Sequence, residues 1–242
     1  MKIRLWHILV FVVALAVFAV ARAPAAFFLQ QHPGALTYDA AEGTIWNGTL
    51  RGAVIGPYRV TSARWSLSPL DLVQGKAIAP VSFAGDIEGD VILLGNLQGD
   101  RRIGAAALRI HGAPVGMAMA PGETRFHGLD ILFEGGACAR AQGRVESDVL
   151  VRAGEAIDWS GPPLSGAASC DGRNARITLQ GANAAGERVN AHITLMSDGA
   201  AAWRVAVHGP QPSTQAALTA AGFTPGAADG ALGYGEETRW LP

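Results

Sequence analysis

The chain has 242 residues, of which 49% are hydrophobic and 16% are charged, and its formal net charge at pH 7 is −1. This hydrophobic content is too high for an intrinsically disordered protein, and the near-neutral charge lacks the basic surface that nucleic-acid binding requires. The 31 glycines exceed the usual share of about 7%, and the length fits one or two domains.

The first thirty residues contain the longest apolar run in the chain. Lys2 and Arg4 precede residues 5–21, in which His7 is the only polar side chain. A helix of this length spans roughly 25 Å, close to the hydrocarbon core of a membrane at about 30 Å. We therefore predict that residues 1–29 form a membrane anchor with a cytoplasmic N-terminus, and that residues 30–242 form an exported domain.

A cleaved signal peptide is the alternative interpretation of this segment. Alanines at 19, 21, 23 and 25 provide pairs of small residues that fit a cleavage site. The apolar run is longer than the roughly 7–15 residues of a signal peptide, which favours an uncleaved anchor. Both interpretations predict export.

From residue 36 onward, apolar and polar residues alternate with a period of two. The alternation is clearest over residues 144–151, 176–180, 189–196 and 203–208. Glycine-containing dipeptides typical of hairpin turns separate such segments, at residues 56–57, 85–86, 99–100, 135–136, 171–172 and 198–199. The pattern predicts a mostly β chain, whose antiparallel sheet is either sandwich-like or curved and open.

Two short helices are predicted near residues 69–75 and 213–221. A serine precedes each and a glycine ends it, and Pro69 occupies the first helical position of the first, which ends at Gly75. The serine that we expect to cap the second helix is Ser213. Each helix follows a strand that contains a tryptophan, so two similar halves that meet near residues 112–130 are compatible with the sequence.

Cys138 and Cys170 are the only cysteines, and both lie in the predicted exported domain. In an oxidising compartment an even pair of cysteines more often forms a disulfide than stays reduced. Two buried free thiols are the alternative. A metal site needs more ligands than two isolated cysteines provide.

The sequence contains no pattern typical of an active site. Nucleophile elbows, phosphate-binding loops, dinucleotide-binding motifs and zinc-binding helices are all absent. The six histidines are scattered, and we expect His192 and His208 to be exposed on neighbouring strands. Glu236–Glu237, and Glu42 near Asp39, are interpreted as solvated carboxylates. We predict no enzymatic activity, no cofactor and no metal.

One segment is more specific, the Gly-Thr-Ile-Trp-Asn-Gly sequence of residues 43–48. Glycines at both ends, Gly43 and Gly48, allow the chain to bend, and alternation places Thr44, Trp46 and Gly48 on one face of a strand. We interpret Trp46 as a core tryptophan at a strand entry, with small neighbours that admit another backbone. We expect Trp65 to belong to the core as well.

The N-terminal span, residues 41–48 and residues 63–75 together resemble the protein N family of the bacterial type II secretion system. Residues 218–222, followed by 229–232, are similar to the C-terminal part of that family, so the resemblance extends from residue 1 to about 235. It implies a non-enzymatic accessory subunit of the general secretory pathway in a Gram-negative inner membrane. It also implies a periplasmic β domain and other type II secretion subunits as partners. The family's functional residues are undefined, so none is transferred.

A second functional interpretation is a periplasmic β-groove that binds lipid or another apolar ligand. In that case the apolar face of a curved sheet would line the groove. The competing arrangement packs this face against the two helices or a second sheet. The binding residues are unknown in either case.

Overall fold

The alternating segments pair side by side into one antiparallel sheet. The structure is a computed structural model that describes residues 5–30, 36–115, 118–155, 157–226 and 231–239. Within these ranges the chain forms 15 strands, which all belong to this sheet, and five helices.

Most strands are followed along the chain by their neighbour in the sheet. The strands are β1 (Leu36–Thr37), β2 (Ala40–Gly43), β3 (Asn47–Ile55), β4 (Tyr58–Ser66), β5 (Lys76–Gly85), β6 (Ile87–Asn96), β7 (Arg101–Val115), β8 (Ala118–Glu134), β9 (Ala137–Ser147), β10 (Leu164–Asp171), β11 (Asn174–Ala182), β12 (Arg188–Leu195), β13 (Ala200–His208), β14 (Thr224–Pro225) and β15 (Leu232–Arg239). The helices are α1 (Leu5–Ala21), α2 (Ala25–Gln30), α3 (Pro69–Val73), α4 (Val149–Glu155) and α5 (Pro212–Ala220).

The order of the strands decides between the two predicted β architectures. The sheet runs β1-β3-β4-β5-β6-β7-β8-β9-β10-β11-β12-β13-β15-β14, and β2 also pairs with β3. A single path with two ends is an open sheet, so the prediction of an open antiparallel sheet is confirmed and the sandwich-like alternative is wrong. The predicted turns at 56–57, 85–86, 99–100, 135–136, 171–172 and 198–199 all lie at connections between paired neighbouring strands.

The sheet curves around its own apolar face. Nineteen buried residues, contributed by β6 to β13, by β15, by α5 and by the loops after α4 and α5, form one contiguous hydrophobic cluster. Val189 and Ala191 of β12 are among them, as are Ile177 and Leu179 of β11, as their alternation predicts. A smaller cluster contains Leu50, Ala53, Val60 and Ala63 of β3 and β4. Because strands so far apart in the sheet share one core, the sheet is strongly curved.

Hydrogen bonds close one end of this curved sheet. We define the lower end as the end that carries the β6–β7, β8–β9, β10–β11 and β12–β13 turns, and the upper end as the opposite one. Arg101 Nη1 donates to Ser197 O at 2.9 Å, and Ser197 Oγ donates to Gly136 O at 3.1 Å. Arg173 Nη2 donates to the same Gly136 O at 3.3 Å. These bonds bring together four turns that are far apart in sequence.

Both predicted short helices are present, as α3 and α5. Ser68 Oγ accepts a hydrogen bond from Asp71 N at 3.4 Å, so the predicted cap of α3 is confirmed. The predicted cap of α5 is wrong, because Gln211 is the N-cap residue and Ser213 lies within the helix. Pro212 occupies the first turn instead, where its missing N–H costs no helical hydrogen bond.

The prediction of a strand through residue 151 is wrong from Val149 onward, because α4 begins there. Asp148 and Glu123 exchange hydrogen bonds, from Glu123 N to Asp148 Oδ1 at 2.6 Å and from Asp148 N to Glu123 O at 3.1 Å. A Cβ on Gly122 would lie 2.5 Å from the Val149 Cα, so the two chains approach as closely as glycine allows. This long-range contact turns the chain out of the sheet.

The N-terminal segment forms two helices rather than one. In the part of the chain that the structure describes, no helix combines the length and the hydrophobicity that crossing a membrane requires. Residues 22–24 separate α1 from α2, and Leu29 of α2 packs against the smaller cluster. The assignment of residues 1–29 to a membrane anchor stays a prediction, although α2 contacts the sheet.

Residues 112–130, where we placed the meeting point of two similar halves, lie in the paired strands β7 and β8. His111 pairs with Glu123 and Ala113 with Ala120, across an irregularity in the register. Residues 116–117 between these strands lie outside the described residues. The division into two similar halves stays a prediction.

Candidate functional site

The Gly-Thr-Ile-Trp-Asn-Gly segment forms a tight turn between β2 and β3. Gly43 pairs with Gly48, Thr44 N donates to Asn47 O at 2.9 Å, and Asn47 N donates to Thr44 Oγ1 at 3.2 Å. Gly43 has a φ of +88°, and a Cβ there would lie 2.4 Å from Asn47 O, so only glycine fits. The prediction that Thr44, Trp46 and Gly48 share one face of a strand is therefore wrong.

This turn holds the end of α1. Trp46 Nε1 donates to Val20 O at 2.9 Å, and Ile45 N donates to Ala23 O at 3.1 Å. Pro24 and Thr44 form an isolated antiparallel bridge between them. Trp46 is half-buried at this contact, so its prediction as a core tryptophan is wrong. We call residues 43–48 and the α1 end that they hold the helix–sheet junction.

Trp65 supports the junction from β4. It lies directly opposite Gly48, and a Cβ on Gly48 would fall 2.2 Å from the Trp65 ring. Its indole Nε1 donates to Ile45 O at 3.0 Å, and its ring packs against the smaller cluster, although part of the ring stays accessible. The second glycine of the segment is required because the Trp65 ring occupies the space of its side chain.

The chain passes from the junction directly into α3. Leu67 N donates to Trp46 O at 2.6 Å, and Ser68 and Pro69 then begin the helix. Gly75 follows the helix with a φ of +77°, and its N–H donates to Leu72 O at 2.9 Å. Gly43, Thr44, Trp46, Gly48, Trp65, Pro69 and Gly75 thus lie in one continuous structural unit at the lower end, and their role stays a prediction.

A buried carboxylate at the upper end was missed by the sequence analysis. Glu187 is buried, and its carboxylate accepts hydrogen bonds from Trp159 Nε1 at 2.7 Å, Asn183 Nδ2 at 2.7 Å and Gln211 N at 2.8 Å. Burial alone would raise the pKa of Glu187, but the bonds from Gln211, Trp159, Thr214 and Asn183 outweigh it and lower that pKa. The carboxylate joins the loop before β10 and the loop before β12 to the start of α5.

The histidines and carboxylates considered as reactive groups do not come together. His192 lies opposite Arg204 and His208 opposite Arg188, at different levels of the neighbouring strands β12 and β13. Glu42 pairs with exposed Arg51 at 3.3 Å rather than with another acid. The side chains of Glu236 and Glu237 lie outside the described residues. Among the residues that the structure describes, no group of three potential ligands could hold a metal ion.

A concavity of about 420 Å³ lies on the outer face of β11, β12 and β13. Its lining is mixed, with the polar side chains of Arg176, His192, Thr194 and Arg204 beside Met196, Ala202, Trp203 and Gly235. Arg176 forms an ion pair with Asp171 at its margin. The apolar face of the same strands is packed into the large hydrophobic cluster, so the groove interpretation gains no support from this region.

Cys138 and Cys170 form the predicted disulfide. Their Cα atoms are 5.6 Å apart, and the bond joins β9 to β10. The hydrogen-bonded ladder between these strands extends only from Leu164–Ser147 to Ala167–Arg144. The disulfide therefore holds together the lower parts of the two strands, where they do not pair.

Comparison with known proteins identifies one related family. Residues 34–232 match the family described as type II secretion system (T2SS), protein N. The match includes the turn of the junction, Trp65, α3 and both cysteines, and it begins after α2. No curated protein and no solved structure matches the chain significantly.

Proposed function

The chain belongs to the type II secretion system protein N family, and we propose on this basis that it is a membrane-tethered accessory subunit of that pathway. Membership implies an accessory role in type II secretion and interaction with other components of the system. The proposal adds a location and an arrangement: α1 lies in the bacterial inner membrane, and the sheet lies in the periplasm. The family match is the observation that carries the proposal.

The exposure of α1 supports the membrane tether. Large apolar side chains such as Trp6, Phe11 and Leu15 are more than half exposed, and they occur on all sides of the helix. A helix that is apolar all round is unfavourable in water and favourable in lipid. The junction then fixes the position of the sheet relative to the membrane.

The disulfide supports a periplasmic location of the sheet. Structural disulfides persist in oxidising compartments such as the periplasm and are rare in the cytoplasm. A cytoplasmic N-terminus and a periplasmic sheet require the chain to cross the membrane once, in the segment that contains α1.

We propose that the chain acts by binding partners and not by catalysis. β14 covers β15 only at Leu232 and Gly233, so from Gly235 to Arg239 one side of β15 has no neighbouring strand among the described residues. An uncovered edge of this kind accepts an additional strand from another protein. We assign this edge as the docking site for another secretion subunit.

The first test is a pull-down of the full chain from its native envelope in mild detergent, followed by mass spectrometry. We expect enrichment of other type II secretion subunits over a mock preparation from cells that lack the affinity tag. Phospholipid recovered in a fixed ratio without any of these subunits would contradict the proposal and favour the groove interpretation.

Hydrogen–deuterium exchange tests the assigned edge. The isolated full chain is compared with the same chain bound to a subunit that the pull-down recovers. We expect protection within residues 235–239 and no change in α5, which serves as an internal control. Protection that maps to other strands would show that the partner docks elsewhere.

A further inference from the structure

An exposed apolar surface lies at the lower end, next to the junction. Leu70 and Val73 of α3 are 74% and 87% exposed, and Leu97 in the β6–β7 turn is 88% exposed. Leu72 is also exposed, so α3 buries none of its side chains. Leu97 N donates to Gly75 O at 3.3 Å, which places this turn beside the end of α3. We call Leu70, Leu72, Val73 and Leu97 the lower apolar patch.

The patch is connected to the end of α1 by consecutive hydrogen bonds. Trp46 Nε1 binds Val20 O in α1, and Trp46 O accepts from Leu67 N. Leu70 follows Leu67 by only three residues. The structure therefore presents two exposed apolar surfaces, α1 and the patch, at the same end of the molecule.

We propose that the lower apolar patch inserts into the surface of the same membrane that holds α1. The inference rests on the membrane tether of the proposed function. With α1 in the bilayer, the junction brings the lower end of the sheet to the membrane surface. There α3 lies as a short interfacial element with its leucines and valine among the lipid headgroups and upper acyl chains.

Uncharged lipid chemistry fits the patch better than an anionic headgroup. The charged residues within and beside it, Asp71, Lys76, Asp100 and Arg101, comprise two of each sign, so they give no net attraction to acidic lipids. Burial of a leucine or valine side chain is itself sufficient to favour the lipid-contacting state by about tenfold or more. The contact should therefore form with zwitterionic lipids and persist in high salt.

Photo-crosslinking to lipid tests the inference on the full chain. The chain is reconstituted into phosphatidylcholine–phosphatidylethanolamine vesicles, with a benzophenone amino acid in place of Val73 or of Leu97. Ile92 provides the matched control, because it is an exposed apolar residue in the middle of β6. A benzophenone at Phe11 reports separately on α1. All four positions are exposed, so the replacements leave the core unchanged.

We expect lipid adducts at positions 11, 73 and 97, with about tenfold less adduct at position 92. Adducts at position 11, with no more adduct at positions 73 and 97 than at the control position 92, would overturn the proposal that the patch contacts lipid. The membrane tether by α1 would remain supported. The absence of adducts at all four positions would overturn the tether, and the patch with it. In native membranes, protein adducts at 73 and 97 in place of lipid adducts would also overturn the inference.

Discussion

At the scale of single residues, the junction depends on a glycine that makes room for an aromatic ring. A Cβ on Gly48 would fall 2.2 Å from the Trp65 ring, so Gly48→Ala forces the ring away from its position. We expect a loss of about 1–3 kcal/mol in the free energy of unfolding, which urea denaturation measures. Gly104→Ala is the matched control, because the nearest atoms to its Cβ are 4.0 Å away. Equal losses in both variants would contradict this role of Gly48.

Glu187 is the residue for which the structure predicts an effect of pH. Its pKa is lowered in the folded chain, so it stabilises the fold above the pKa of the unfolded state, which is about 4.3. This contribution is lost as the pH falls through the lowered folded pKa. Glu187→Gln replaces a carboxylate oxygen by an N–H donor that faces other donors. We expect it to cost about 1.5–3 kcal/mol at pH 7.

Urea denaturation of Glu187→Gln and the original chain, at pH 7 and at pH 3, checks this expectation. The difference between the two chains should shrink as the pH falls, because protonation removes the advantage of the carboxylate. Glu42→Gln is the control for an exposed carboxylate, because the side chain of Glu42 is 56% exposed where it pairs with Arg51. A difference between Glu187→Gln and the original chain that is the same at both pH values would contradict the assignment.

At the scale of elements, the disulfide links β9 and β10 where these strands have no hydrogen-bonded pairing. Cys138→Ser and Cys170→Ser each open a loop whose ends are 32 residues apart. We expect each to lower the free energy of unfolding by about 3–4 kcal/mol, and the double variant to match either single one. Thermal unfolding under oxidising conditions measures all three. Unequal effects of the two single variants would show that the two cysteines do not stabilise the fold through one shared bond.

Among the elements, the sequence predicts those whose signals are local, and it does not predict those that depend on distant residues. Strands and turns followed from alternation and from glycine, because both signals are local. The sequence did not predict α4, because Val149 and Val151 continue the alternation of β9. The contact between Gly122 and Val149, which ends the strand, joins residues that are distant in the sequence. The predicted position of Trp46 failed for a similar reason, because its partner is a carbonyl of α1, 26 residues away. Glu187 gave no local signal, since its donors come from three separate segments.

At the scale of the whole molecule, a sheet built almost entirely from consecutive neighbours needs long-range contacts to hold its curvature. Short turns join neighbouring strands and fix the hydrogen-bonded pairing between them. These turns do not prevent the sheet from flattening. The large hydrophobic cluster opposes flattening from inside, and the bond from Arg101 to Ser197 joins turns that are 96 residues apart at the lower end. This end also carries the junction and the lower apolar patch, so in the membrane contact that we propose its closure determines which residues face the lipid.

Removal of this bond should loosen the lower end with little effect on global stability. Arg101→Ala is expected to cost less than about 1 kcal/mol, because the guanidinium is exposed and its hydrogen bond competes with water. The amide of Gly199, which donates to Met196 O at 3.1 Å within the β12–β13 turn, should exchange several-fold faster with deuterium. Arg64→Ala, at an exposed position in β4, is the control and should leave this amide unchanged. Unchanged exchange at Gly199 in Arg101→Ala would mean that the hydrophobic cluster alone maintains the curvature of the lower end.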